Sequence, residues 1–391
     1  MNKIIIVGIL FLFAGINDIF SQDVPEREVF LLTCAPGTEV YSVYGHSALR
    51  IIDNAEGTDM VYNWGVFDFA TKHFAWKFAK GRLSYSLGVS TFDRFMKDYF
   101  YEARSVYSQK VNLTSDEIEK LMSLIRVNLR PENVSYRYDF FYDDCSTRIR
   151  DLFERVTGNK LIYPPDELKN APSYREMIGK YSRVYPWLKM GIDLLMGIPG
   201  DRRAFFRDRM FLPDYLELNL AQAVVNRDRK MVPLLQPVVT LLEFDPPEYR
   251  SHFYTNPMFI FSLFFIMLLG LSTGFRNRQF MNYIDILIFL CFSLLAVLML
   301  FFNFFTDHLQ TRINMNIIWF NPLIIVCLVC LVLNRECRIW FRAVFYLSVI
   351  FIPVMLIIPN RISFFLLPVI LVLALRSAPR CDFSWYPLTK I

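Results

Sequence analysis

Cys145 stands in the run Asp143-Asp144-Cys145-Ser146-Thr147-Arg148, which predicts the first turn of a helix. Asp144 can cap the free N–H groups, and Ile149, Leu152, Phe153 and Val156 follow at helical spacing until Gly158 offers a stop. Residues 134–141 precede it, with Tyr136, Tyr138 and Phe140 alternating with Ser135, Arg137 and Asp139 as in a strand or extended arm. The cysteine therefore falls where an extended segment hands over to a helix N-terminus. A thiolate is favoured there by the helix dipole and the orphan N–H groups. Asp143 and Asp144 oppose that charge, so a nucleophilic role calls for a basic partner. A small buried core cysteine is the competing reading.

The chain has four histidines, and only His46 and His73 precede its strongly apolar C-terminal part. His73 lies between Lys72 and Phe74 and reads as a surface residue. His46 follows Gly45, which permits a tight turn, and opens a strand-like run through Ile52. It is the better candidate base for a thiol. Asn63, the polar residue of the next apolar strand, is either a hydrogen-bonded core amide or the group that orients the imidazole. Of seven cysteines, Cys34 and Cys145 alone lie before the apolar third. A disulfide between them is the alternative to a free nucleophile. Cys327 and Cys330 share an apolar helix without polar neighbours and read as packing.

The positioning elements follow from pattern. Residues 1–21 carry a positive end, an apolar run and a small-residue exit, as in a secretory signal, with an uncleaved anchor as the alternative. Residues 22–160 form a first unit. Strands are expected near 26–33, 47–52, 60–67, 83–89 and 104–111, and a helix at 90–101. A second helix opens on the capping box Thr114/Glu117, and the Cys145 helix comes last. Residues 161–250 read as a proline-punctuated helical extension and linker. There Arg202, Arg203, Arg207 and Arg209 surround Phe205 and Phe206, a pattern that suits either anionic lipid headgroups or an ordinary solvated face.

Residues 251–391 contain five apolar runs, 257–275, 284–305, 317–333, 343–358 and 362–375, each near transmembrane length, the last two short. Arginines gather between the first and second runs, between the third and fourth, and beyond the fifth, whereas the other two loops hold only Arg312 and Arg361. The positive-inside rule puts the richer set in the cytoplasm and the N-terminal unit outside. A hydrophobic fraction of 54% fits such a chain, and the net charge of +5, largely from these loops, does not argue for nucleic acid. No metal-ligand cluster or phosphate loop is present in the sequence, and no cofactor is expected. Asn303, Asp307, His308, Asn314, Asn316 and Asn321 fall at the outer ends of the second and third runs. They are either interfacial loop residues or a site for a lipid headgroup or peptide N-terminus.

Taken together, Cys34-Ala-Pro-Gly, Tyr44-Gly45-His46-Ser-Ala-Leu-Arg, Tyr62-Asn63-Trp-Gly-Val-Phe-Asp68-Phe, Asp144-Cys145-Ser-Thr and the polar loop ending Asn321-Pro322 resemble the Lnb-type family. The resemblance implies an α+β exported domain of permuted papain-like (NlpC-like) fold, followed by a bundle of five transmembrane helices in a bacterial inner membrane. It implies lipoprotein N-acyltransferase activity: a fatty acyl chain passes from a phospholipid, through a cysteine thioester, to the α-amino group of a diacylglyceryl cysteine. The partners would be a phospholipid donor and diacylated lipoprotein acceptors. Cys145, His46 and Asn63 are the catalytic candidates; Tyr44, His308 and Asn321 are the substrate-binding ones. A membrane-anchored cysteine peptidase or amidase acting on cell wall would use the same pair, but needs at most one span. A non-catalytic binding module is the third reading.

Overall fold

A computed structural model describes residues 26–166, 170–246, 249, 252–274, 277–357 and 363–382. The expected signal segment and the loop residues Arg276, Arg361 and Lys390 lie outside the described residues.

Seven antiparallel strands form the main sheet, in the order β10-β5-β1-β2-β3-β4-β6. They are β1 (Arg27–Cys34), β2 (His46–Asp53), β3 (Thr58–Val66), β4 (Ser84–Thr91), β5 (Val106–Lys110), β6 (Ser135–Arg137) and β10 (Val239–Leu242). Helices α1 (Phe74–Ala79), α2 (Phe92–Tyr101), α3 (Ser115–Asn128) and α4 (Cys145–Thr157) complete the unit. The central strands are buried on both faces. Val29, Leu31, Leu49, Ile51, Tyr62 and Trp64 pack against Ile118, Leu121, Ile125, Ile149 and Phe153 of α3 and α4. Leu32, Cys34, Ala48, Val61 and Val106 pack against Phe95 and Tyr99 of α2. That double burial explains why β1 reads as a nearly continuous apolar run. The Thr114/Glu117 capping box is present, and Asp144 heads α4 with a second one.

Three segments differ from the sequence expectation. The extended arm at 134–141 is a strand only over β6, because the Asp139 carboxylate accepts from the N–H groups of Phe141 (2.9 Å) and Tyr142 (3.0 Å) and turns the chain. Helix α1 breaks the stretch before β4. The extension is not purely helical. Besides α5 (Tyr174–Ser182), α6 (Pro186–Leu195) and α7 (Pro213–Gln222), it holds a small sheet of β7 (Leu161–Ile162), β8 (Val224–Arg227) and β9 (Lys230–Pro233), and it lends β10 to the main sheet. The β8–β9 turn uses Asp228 and Arg229, both at positive φ, instead of the glycine or asparagine that announces such turns.

Among the described residues, the C-terminal region carries four stretches long and apolar enough to cross a membrane, Pro257–Gly274, Arg278–Phe304, Met315–Val332 and Arg338–Ile357. We label the helices α8 (Pro257–Gly274), α9 (Arg278–Phe304), α10 (Leu323–Val332) and α11 (Arg338–Ile357). The fifth apolar run appears as a short helix, α12 (Leu367–Ser377), packed against α8 and α11. The third stretch starts as a 3-10 turn, and its α-helix begins after Pro322, where Asn321 Oδ1 accepts from Leu323 N at 3.0 Å. Cys327 is buried and free, whereas Cys330 is joined to Cys337, a pairing that the packing reading of Cys330 did not anticipate.

The loop between α9 and α10 clamps the N-terminal unit to the membrane helices. Asp307 binds Arg82 (2.8 Å) and Arg137 (3.2 Å), and Gln310 Nε2 donates to Asp139 (2.7 Å). Deeper in, Asn314 Nδ2 donates to Leu194 O (2.8 Å) and Asn316 Nδ2 to the same carbonyl (3.1 Å), while Asn316 Oδ1 accepts from Trp319 Nε1 (3.0 Å). Exposed ion pairs contribute little, but a buried carbonyl or N–H left without a partner costs about 1–3 kcal/mol. Asn316→Ala is therefore expected to lower the thermal unfolding midpoint by a few degrees in detergent, and Asp307→Asn to leave it essentially unmoved. Equal midpoints for the two variants would show that the amides do not carry the clamp.

Candidate active site

Cys145 is the first residue of α4, and its surroundings are built from local sequence. Asp144 Oδ1 accepts from Thr147 N (2.7 Å), and Thr147 Oγ1 accepts from Asp144 N (2.8 Å), so the helix start is closed reciprocally. Just before it, Asp139 and Asp143 exchange backbone hydrogen bonds of 3.1 and 2.9 Å. The helix is tied to the start of β2 by a buried hydroxyl pair, Ser47 Oγ to Ser146 Oγ at 3.0 Å. The sulfur lies 3.8 Å from Ser146 Oγ, and the backbone N–H groups of Ser47, the residue next to His46, and of its own helix start favour the thiolate. Ser47 is thereby held against Ser146, the residue next to Cys145, 99 residues away in sequence.

The His46 ring is engaged on its other side. Its Nε2 lies 3.2 Å from Asn63 Oδ1. A carbonyl oxygen only accepts, so Nε2 carries the proton and Nδ1 keeps the lone pair. Asn63 reaches the ring because both residues occupy the same face of β2 and β3, with Ala48 and Val61. Among the described residues no hydrogen bond joins the imidazole to the thiol. Cys34, paired opposite His46 across β1 and β2, is a free thiol beside Tyr99, and burial pushes it up to about 12. The Cys34–Cys145 disulfide is absent.

The electrostatics favour a neutral resting pair. Burial lowers the His46 imidazole to about 4, against the upward pull of its bond to Asn63. Burial raises the Cys145 thiol, against the downward pull of the N–H groups on the sulfur. The two neighbouring carboxylates are dealt with separately. Arg148 holds Asp143 with two hydrogen bonds, 2.5 and 2.9 Å. Burial, then the nearby thiol, push the Asp144 carboxyl well above the usual carboxylate range, against the pull of Thr147.

The proposed substrate residues have other partners. Tyr44 packs its ring against Phe140 and Tyr181, 4.9 and 5.8 Å between centroids. His308 Nε2 lies 3.0 Å from Phe78 O, at the seam between α1 and the membrane loop. Asn321 uses both amide atoms on its own turn, donating to Ile318 O (2.8 Å) and accepting from Leu323 N. Sequence reading treated Tyr136 and Tyr138 only as alternation. The Tyr136 hydroxyl is buried without a hydrogen-bond partner among the described residues, and Tyr138 is an electrostatic neighbour of both Cys145 and Asp144. Tyr138 lies over Gly65 (φ 91°), where a Cβ would touch its ring at 3.4 Å. The signal for both tyrosines was present in sequence as hydroxyl-bearing rings leading straight to the cysteine. No group of three or more His, Cys, Asp or Glu side chains suited to a metal ion occurs among the described residues.

Two comparisons bear on this arrangement. Residues 21–176 match the Lnb N-terminal periplasmic domain, and residues 248–382 match the Lnb transmembrane domain. No curated protein and no solved structure matches the chain.

A neutral pair has consequences for pH. Alkylation of Cys145 by iodoacetamide, followed by peptide mass spectrometry, is expected to be slow near neutrality and to keep rising past the ordinary thiol pKa of about 8.5. A reactivity plateau below pH 7 would instead reveal a preformed thiolate–imidazolium pair. Because the folded His46 titrates below its unfolded value of about 6.5, stability is present above that pH and declines as the solution is acidified toward 4.

Proposed function

The chain belongs to the Lnb family, with a periplasmic N-terminal domain and a transmembrane domain of the lipoprotein-maturation class, and from that premise we propose that it is a cysteine-dependent lipoprotein N-acyltransferase of the bacterial inner membrane. The observation that carries this reading is the Cys145 thiol at the start of α4, a helix tied by the Ser146–Ser47 hydroxyl pair to the strand that opens with His46, whose ring meets Asn63. The domain that holds it is clamped onto membrane helices.

The reaction runs in two halves. In the first, the Cys145 sulfur attacks the ester carbonyl of a phospholipid while His46 Nδ1 takes the thiol proton. Asn63 keeps the Nε2 proton and so fixes which nitrogen is basic; the ring swings toward the sulfur about that bond. The N–H groups at the start of α4 stabilise the tetrahedral oxyanion. Collapse breaks the ester C–O bond, and His46 returns the proton to the departing glycerol oxygen, releasing lysophospholipid. In the second half, the α-amino group of a diacylglyceryl cysteine attacks the thioester, His46 accepts its proton, and the thiol is reprotonated as the amide forms. A raised thiol and a neutral imidazole suit general-base deprotonation in the loaded complex rather than a standing thiolate exposed to water.

Purified protein given phospholipid without acceptor is expected to gain a hydroxylamine-sensitive fatty acyl mass on Cys145, which disappears when a diacylglyceryl peptide amine is added. Cys145→Ala abolishes both, and His46→Ala lowers the rate by about a hundredfold to ten-thousandfold. Asn63→Ala falls between wild type and His46→Ala. An adduct lost equally fast without acceptor would make the protein a hydrolase, and full transfer by Cys145→Ala would remove the thiol from the mechanism.

A further inference from the structure

Helix α1 buries none of its residues, although it contains Phe74, Trp76 and Phe78. Trp76 is 57% exposed, Phe78 53% and Phe69, just upstream, 64%. These rings form one surface: Phe67 contacts Phe69 at 4.9 Å and Phe74 at 6.0 Å, Phe69 contacts Phe74 at 5.1 Å, and Phe74 stacks on Phe78 at 6.2 Å. A contiguous apolar patch of this kind on an otherwise folded domain marks something that covers it.

Its position says what covers it. Trp76 meets Phe301, near the end of membrane helix α9, at 5.5 Å, and Lys80 O accepts from Asp307 N at 2.9 Å. The patch is thus continuous with the end of the membrane helices that faces the N-terminal domain. Residues 66–81 carry Lys72, Lys77 and Lys80 against one acidic residue, Asp68. Aromatic rings with flanking lysines are the composition of the headgroup level of a bilayer, where the rings enter the acyl boundary and the ammonium groups meet phosphates.

The patch also leads inward. Phe67 meets Tyr85 at 5.3 Å, Tyr85 meets Tyr138 at 4.6 Å, and Tyr138 neighbours Cys145. Gly65 leaves the floor beneath Tyr138 free of a side chain. Rings therefore step from the surface patch through Phe67 and Tyr85 to Tyr138, an electrostatic neighbour of Cys145.

We propose that the aromatic surface of residues 66–81 is immersed in the outer leaflet and guides a lipid acyl chain past Phe67, Tyr85 and Tyr138 to Cys145. The occupant is bilayer phospholipid rather than a protein partner. The guiding role rests on the acyltransferase reading; the immersion does not.

The test places p-benzoylphenylalanine at Phe69 or at Phe78 of the full chain, reconstituted in vesicles of phosphatidylethanolamine and phosphatidylglycerol. Met231, an exposed residue of β9, is the control position. Irradiation is expected to give phospholipid adducts by mass spectrometry at Phe69 and Phe78 and not at Met231, in wild-type and Cys145→Ala backgrounds alike. Adduct yields at Phe69 and Phe78 no higher than at Met231 would overturn the immersion, whatever the catalytic activity. For the path, Phe67→Ser with Phe69→Ser is expected to slow Cys145 acylation from vesicle phospholipid at least tenfold, with the unfolding midpoint retained. An unchanged acylation rate in that folded double variant would overturn it. If wild-type protein forms no thioester at all while the adducts persist, the acyltransferase reading fails and the membrane contact stands.

Discussion

A buried hydrogen bond between two serine hydroxyls, Ser47 Oγ to Ser146 Oγ, governs where the Cys145 thiol can be. A hydroxyl pair sealed from water is costly to break, because either partner alone would be left unsatisfied. It fixes the first turn of α4 against the first residues of β2. The same contact lets the Ser47 N–H favour the thiolate. Around it, the apolar faces of Leu49 and Ile51 meet Ile149 and Phe153, so packing and polar register agree on one docking of helix on sheet.

That docking creates an electrostatic problem that the neighbouring residues resolve. A thiol beside two aspartates at a buried helix start would be hard to ionise. Arg148 turns inward over the Tyr136 ring, 3.4 Å from its centroid, and pairs with Asp143. Asp144 is held as a cap, and burial favours its neutral form. The site is left with little net charge in its resting state, which agrees with the proposed apolar acyl substrate better than with a charged peptide.

How far the sequence reveals this depends on how local each determinant is. The Thr114 and Asp144 caps, the glycine before His46 and the long apolar runs act within a turn or two, and they place β1 to β5, α3, α4 and the first membrane helices correctly. The His46–Asn63 contact was readable as a polar residue one strand away. What escaped is determined at a distance or by unusual local choices. Strand β10 joins β5 only through tertiary pairing. The β8–β9 turn uses Asp228 and Arg229 at positive φ. Helix α1 is six residues long and buries none of them, so no buried face announces it in the sequence. Asn321 reads as a binding candidate because it is polar at a membrane edge; its bonds at the helix start after Pro322, which pattern does not announce, give it a structural task as well.

The clamp between the two domains then acquires a meaning beyond attachment. Gln310, from the membrane loop, donates to the same Asp139 carboxylate that turns the chain into α4. The membrane loop therefore contacts the turn that leads to Cys145. His308 and Asp307 of the same loop bind the backbone and basic residues at the end of α1. One short loop thus holds both the end of the helix that carries the aromatic surface and the turn that leads to the thiol. The proposed transfer between two membrane-held substrates would need those two positions fixed together, because a thiol at the wrong depth meets either headgroups or water instead of an ester carbonyl.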